Sequence, residues 1–430
     1  MPTDRARQLW DRVRERPARP LAPPDSYPHA DIAAMLRELG LALVEVMQPT
    51  QLVRARVHKA ALAYTTAPVR VVALPTVLLI QVGTTAFEVD VTGRTTDQLN
   101  IADRVDHVTR LIEAGAITPT SALQELARAR RMPPRFPAWV RILGYVITTL
   151  GFGMIMNPTW ASLWGHALLG AVVGVILVAA EQFPSLNAIA PTLAATAVTV
   201  LATWFVADAA NDGLLRVIAP ALVALLPGMA LTVGAMELAS SSIIAGSSRL
   251  IYGAVQTMLL VFGVSLGIAV AGRIPPQAPS AQLGPWAFYA AIVVAAVGLY
   301  LFLSAPPGSL LWLTAAIGVA LIGQRLGGLF LSSAHAGALG AALVLPFAIV
   351  ASRLKTAPTA MVMLLAAFWA LVPGALGFES LSAVVSGGSH DIEALSRTVG
   401  AVFSIALGTL VSWSILDAIG SRRRLADDDD

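Results

Sequence analysis

The 430-residue chain contains no cysteine, and lysine occurs only as Lys59 and Lys355. Without thiols there can be no disulfide, no thiolate-bound zinc and no cysteine nucleophile. The shortage of lysine beside plentiful arginine reads as a coding bias without functional content. Charge of either sign is also scarce, at 13% of residues, where ordinary soluble domains carry about 25%. The net charge of +3 comes without a basic run interleaved with aromatics, so nucleic acid is not an expected partner. The first 30 residues hold no apolar run of signal-peptide length, and their Arg- and Pro-rich composition predicts a disordered tail. There is no phosphate-cradling loop, no metal-ligand cluster and no serine–histidine–acid spacing. ATP-driven pumping by this chain, a metal or other cofactor, and enzymatic chemistry are therefore not expected.

What the chain has in abundance is apolar sequence: 56% of residues are hydrophobic and the mean hydropathy is +0.71. The charges that exist are segregated. Residues 1–137 hold 18 basic and 14 acidic side chains, whereas the 281 positions of 138–418 hold 8 of each. The first segment can fold in water; the second calls for a bilayer.

Within 31–137 the pattern is that of a small α+β domain. DIAAMLRELGLALVEVM and QLVRARVHKAALAY have helical spacing, with Pro49 between them. VRVVAL, TVLLIQV and TAFEVDV are rich in β-branched residues and read as two or three strands. NIADRVDHVTRLIEAG and TPTSALQELARARR are helical again. RARRMPPRFPAWVR then marks the junction with the apolar region.

Ten apolar segments follow, each about 20 residues long as a bilayer requires, at roughly 138–156, 159–181, 189–208, 214–236, 249–272, 284–304, 309–326, 334–352, 358–380 and 395–418. With the N-terminus inside, eleven Lys and Arg fall in or beside inner loops and four in outer ones, which predicts both termini in the cytoplasm of a multi-pass protein of the cell (inner) membrane. The expected organisation is thus a tail at 1–30, a cytoplasmic domain at 31–137, two transmembrane units at 138–272 and 284–418, and a cytoplasmic tail at 419–430.

Segments four and nine share an interruption. VALLPGMALTVGAMEL carries Pro227-Gly228, and FWALVPGALGFESLSA carries Pro373-Gly374; Ser248-Arg249 and Ser396-Arg397 follow 22 and 24 residues after the prolines. Equivalent positions five helices apart must face opposite ways, so the expected architecture is two inverted five-helix repeats. Proline frees a carbonyl at membrane depth and glycine lets a ligand approach the backbone. Irregular backbone there is tolerated where it lines a cavity, and the half-helix beyond it offers positive amide groups to a carboxylate. A kink in a packed helix is the plainer alternative for one such motif, and the matched pair argues against it.

At PGMALTVGAMELASSSIIAGSSRLIYGAVQ the chain resembles the threonine/serine exporter family, in which a Pro-Gly is followed by an acidic residue and a Gly-x-x-Arg; here these are Pro227, Gly228, Glu237, Gly246 and Arg249. ALVPGALGFESLSA is similar to that family's second-half segment. Two positions depart: Glu237-Leu238 stands for the family's frequent Asp-Leu, and Ala245 for the serine before Gly-x-x-Arg. The resemblance implies a secondary transporter that exports small amino acids such as threonine and serine, driven by the proton gradient as an antiporter.

On that reading the substrate site comprises Pro227, Gly228, Met229, Pro373, Gly374, Ala375 and Glu379, while Glu237, Arg249 and His166 are candidates for proton coupling or a gate. Ionisable groups within spans are costly and so are functional candidates. Glu237 could instead be a solvated helix end, Arg249 a positive-inside anchor, and His166, although its imidazole titrates near neutral pH, a satisfied core residue. The expected partners are the amino-acid substrate, protons and the lipid bilayer; a homodimer is left open. Export of another small organic acid, or a membrane sensor or scaffold with a regulatory cytoplasmic domain, are the alternatives.

Overall fold

The computed structural model describes residues 18–90, 97–207, 213–272, 274, 280–332, 334–371 and 392–428. It is mostly helical. The N-terminal region begins with α1 (His29–Glu45) and α2 (Thr50–Leu62), both opening directly after a proline that cannot continue a preceding helix. Three strands follow, β1 (Val69–Ala73), β2 (Val77–Val82) and β3 (Thr85–Asp90), in an antiparallel sheet of order β1-β2-β3 with Val71 opposite Ile80 and Ile80 opposite Phe87. Alternation puts Leu78, Ile80 and Val82 on the buried face against α1. Helices α3 (Leu99–Glu113) and α4 (Pro119–Arg130) complete the region; Thr118 caps α4 by accepting from the Ser121 amide, with Pro119 in the first turn. Residues 18–28, assigned by sequence to the N-terminal tail, are tied to this region, for the Leu21 amide donates to Gly115 O and the Asp25 amide to Tyr64 O. Nothing described bears on residues 1–17.

The apolar region is a helical bundle. Its elements are α5 (Ala138–Met156), α6 (Leu163–Gln182), α7 (Ala190–Leu201, extended by a π turn at Ala202–Val206), α8 (Leu214–Leu222) and α9 (Gly228–Ala239). After them come α10 (Ile243–Ala271), α11 (Trp286–Phe302), α12 (Leu310–Gly327), α13 (Gly337–Ala351), α14 (Ala360–Leu371) and α15 (Ile392–Asp428). Among the described residues, five helices or helix segments are long and apolar enough to cross a membrane, α8 and α9 pass that test as a pair bent by 64°, and four helices of 10–17 residues are apolar but shorter. The last helix continues to Asp428, past the expected end of the tenth segment at 418, since SRRRLADD contains no proline to stop it.

The outer surface of the bundle is apolar. Along α10, Ile251, Val255, Met258, Phe262, Leu266 and Val270 are all exposed at spacings of three and four, an apolar stripe suited to a lipid surround. Trp139, Trp160, Trp164, Trp204 and Trp286 lie exposed near helix ends, where indole rings sit at a membrane interface. These features make the chain a multi-pass membrane protein. Small residues bring the helices close: a Cβ on Gly144 or Gly151 of α5 would lie 2.6 Å from the backbone nitrogen of Phe302 or Ala295 of α11, and one on Gly263 of α10 would lie 2.6 Å from Thr192 O of α7.

The N-terminal region is docked onto one face of this bundle. Leu99 N donates to Leu303 O at 2.8 Å, Thr359 N at the start of α14 donates to Asp103 at 2.9 Å, and Arg135 reaches Tyr300 Oη at 2.6 Å and Ala305 O at 3.0 Å. A continuous apolar core runs across the junction through Leu99, Leu303 and Leu365.

Candidate functional site

The helix of segment four is broken where the sequence places Pro227-Gly228. Pro220 already weakens α8 from within, a single 3-10 turn at Val223–Leu225 tightens its end, and Leu226 is extended. The Gly228 amide then bonds back to Leu226 O at 2.8 Å and α9 begins. This irregular backbone has the surroundings that membrane-depth irregularity requires. It faces a cavity of about 1080 Å³ between the N-terminal region and the bundle, whose lining includes Pro227, Gly228 and Met229. The lining also carries charge: Glu38, Glu45, Asp97 and Glu181 against Arg130, Arg131 and Arg141.

Most of these charges are neutralised in pairs. Arg130, at the end of α4, forks onto Glu45 with Nε at 2.6 Å and Nη2 at 2.7 Å, and a third donor reaches Glu38. The hydrogen bonds to Glu45 keep that guanidinium protonated well above its ordinary range. Arg141, buried in the first turn of α5, makes a bidentate pair with Glu181 at the end of α6. Asp97 is exposed to the cavity. Desolvation, reinforced by the negative charge of Glu181, pushes its carboxyl above the usual carboxylate range.

Glu237 and Arg249 are brought together, although neither lines this cavity. The two residues lie on α9 and α10, joined by the tight turn at Ser240–Ser242, in which Ser241 has φ +66°. Gly246 makes the close crossing possible, since a Cβ there would lie 2.7 Å from Gly234 O and from the Leu238 amide. One turn further along α10, Arg249 Nε stands 3.1 Å from Glu237 Oε2. The contact is Coulombic, for Nε–H is not aligned on that oxygen as a hydrogen bond would be.

The other oxygen of Glu237 has a partner that nothing in the local sequence announces. Thr50 N and Thr50 Oγ1, at the start of α2, both donate to Glu237 Oε1 at 2.8 Å, and Gln51 Nε2 donates to Ser240 O and Ser242 Oγ. A carboxylate of the bundle thus caps the N-terminus of a helix in the N-terminal region, with the favourable sign for that helix dipole. Glu237 is 1% exposed, so a solvated helix end does not describe it. Asp103 does the converse, offering a carboxylate from the N-terminal region to the amide of Thr359, the residue just ahead of α14.

The remaining sequence candidates are not gathered here. His166 is fully buried in the first turn of α6, packed against Gly153 near the end of α5 that lies away from the N-terminal region. It does not line the cavity. Pro373, Gly374, Ala375 and Glu379 lie outside the described residues. Sequence reasoning missed Thr50, Gln51 and the special position of Asp97; the only available signal for Thr50 was a threonine following Pro49 at a helix start.

The family model described as "Putative threonine/serine exporter" matches residues 34–271, more than half of the chain and the span that carries the docked region, the broken helix and the Glu237–Arg249 pair. This chain belongs to that family. The threonine/serine exporter family is a family of membrane transporters, not of enzymes. Among curated proteins the chain is similar to Pheromone-regulated membrane protein 10 of Eremothecium gossypii, 26% identical over 178 residues that make up 39% of this chain and 24% of the relative. The protein of the same name from Kluyveromyces lactis is 24% identical over 38% of this chain and 18% of its own length, and that from Yarrowia lipolytica 28% over 37% and 13%. The chain therefore spans about a quarter or less of the length of these relatives. No solved structure matches it.

Proposed function

We propose that this chain exports small amino acids of the threonine/serine type from the cytoplasm in exchange for protons. The observation that carries the reading is the 64° break at Pro227-Gly228 opening onto a charged cavity of about 1080 Å³. A zwitterion needs a carboxylate for its ammonium and positive or amide groups for its carboxylate. The cavity wall offers acidic and basic side chains together with the amino end of α9. A scaffold or sensor has no need of a broken helix facing a charged void.

In this account the docked region is cytoplasmic, both termini are inside, and the protein resides in the cell membrane. The ten apolar segments form two inverted five-helix repeats, and Pro373, Gly374, Ala375 and Glu379 form the second half of the site. The Glu237–Arg249 pair, with Thr50 laid over it, supports a gate between cavity and cytoplasm. His166, in the first turn of α6, is a proton relay on the outer side.

The test is transport by purified protein in proteoliposomes loaded with labelled threonine. The expected result is efflux accelerated by an opposing proton gradient and threonine exchange at equal pH. Flux of small hydroxy acids without flux of threonine or serine would favour the organic-acid alternative. Flux of neither would refute the transport reading.

A further inference from the structure

The N-terminal region meets the bundle in two contacts of opposite chemistry. On the side of α11 and α14 the contact is apolar: Leu99 packs into the core it shares with Leu303 and Leu365, and its amide is spent on Leu303 O. On the α9–α10 hairpin it is a polar layer, with Gln48, Thr50 and Gln51 against Glu237, Ser240, Ser242 and Arg249. This second layer is incompletely satisfied. Gln48 is 1% exposed, yet its Oε1 has no hydrogen-bond partner, and among the described residues Arg249 reaches across only to Gln48 O, at 3.5 Å.

The two contacts part with different ease. Separating Leu99 from Leu303 and Leu365 returns apolar surface to water and leaves a buried backbone amide without its partner. Glu237 and Arg249 both belong to the hairpin, so on its departure their charges leave together and stay balanced. The donors that Thr50 and Gln51 give up can pass to water, since Gln51 is already exposed. The hairpin also borders the cavity: Met229 and Ala230 of α9 line it, as do Tyr252 and Gln256 of α10 and, facing them from the N-terminal region, Met47, the residue before Gln48. A shift of the hairpin away from Gln48–Gln51 carries Met229 and Tyr252 from Met47 and widens the cavity at that wall.

We propose that the polar layer is a latch: the α9–α10 hairpin separates from the N-terminal region in each transport cycle, while that region stays fixed to α11 and α14. The N-terminal region is then the stationary part against which the broken helix moves, and not a detachable regulator. This inference rests on the exporter reading above and adds to it which contact must break.

The lack of native cysteine permits a direct lock. In Gln51→Cys/Ser242→Cys the latch is bridged by a short bifunctional methanethiosulfonate that a reductant removes; Gln51 Nε2 stands 3.0 Å from Ser242 Oγ in the unmodified chain. Asp103→Cys/Thr359→Cys is bridged in the same way across the fixed contact, where Asp103 accepts from the Thr359 amide. Threonine exchange at equal pH is measured in proteoliposomes before bridging, after it and after reduction. The expected result is that bridging the latch lowers exchange at least tenfold and reduction restores it, whereas bridging the fixed contact leaves exchange within twofold. Exchange within twofold with the latch bridged would overturn the proposal while leaving the exporter reading intact. So would an equal loss in reagent-treated Gln51→Cys or Ser242→Cys alone, or an equal loss on bridging the fixed contact. No threonine or serine flux in the unmodified chain would overturn both.

Discussion

The buried pair of Glu237 and Arg249 predicts a measurable energetic coupling. Glu237 is 1% exposed and Arg249 11%, with their charges 3.1 Å apart. Removing one member of a buried pair costs about 3–5 kcal/mol, because the other is left as an uncompensated charge. Glu237→Gln retains an oxygen for the two Thr50 donors but strands Arg249, whose remaining contact is a long one to Gln48 O at 3.5 Å; the expected loss is about 3 kcal/mol. Arg249→Gln leaves Glu237 with its two Thr50 hydrogen bonds, so the loss should be smaller, about 1–2 kcal/mol. In Glu237→Gln/Arg249→Gln neither charge remains, and the loss should fall short of the sum of the singles by about 1–3 kcal/mol. The assay is thermal unfolding of the four proteins in one detergent at one scan rate, since polytopic proteins unfold irreversibly and the midpoint depends on the rate. Additive midpoint shifts would refute the pairing. A parallel Thr50→Val variant should lose about 1.5–3 kcal/mol, the size of a hydrogen bond to a charged acceptor; no loss there would refute the capping of α2 by the bundle.

Two further outcomes are expected. Asp97→Asn should raise thermal stability at neutral pH. The folded-state carboxyl titrates above its unfolded value of about 3.9, so its penalty is absent below that pH, grows as pH rises and is full above the folded pKa. The difference in melting midpoint between Asp97→Asn and the unmodified chain should therefore be near zero at acid pH and positive at pH 7, and a lower midpoint for Asp97→Asn at pH 7 would refute it. Gly246→Leu should force α9 and α10 apart, since even a Cβ meets Gly234 O and the Leu238 amide at 2.7 Å. Overpacking of this kind costs about 1–3 kcal/mol or more, read as reduced folded yield by size-exclusion chromatography, while a normal yield would contradict the close crossing.

The sequence made legible what is local. Apolar runs coincide with the bundle helices, and the helical spacing of DIAAMLRELGLALVEVM falls on α1. The β-branched runs fall on the three strands. The break at Pro227 was readable because proline leaves a mark that no partner is needed to interpret. The pairing of Glu237 with Arg249 was readable as a candidate because the two residues flank a single turn. The capping of α2 by Glu237 was not, since it joins Thr50 to a residue far along the chain and depends on how two folded units meet. Asp97 was one of 14 acidic residues in a polar segment; what distinguishes it is its place on the cavity wall beside Met229, which depends on how the two regions meet. The sequence also gathered His166 with the candidates on chemistry alone, whereas its helix carries it to the end of the bundle away from the cavity.

The central claim is that the broken backbone at Pro227-Gly228 is the seat of transport. The direct measurement is threonine flux per inserted molecule for Gly228→Leu beside the unmodified chain in the same proteoliposomes. Leucine favours helix where the break is and fills the space that a ligand would use against the backbone. The account predicts normal insertion with flux abolished. Full flux per inserted molecule, with only the amount of folded protein reduced, would show that Pro227-Gly228 is a packing kink and would contradict the account.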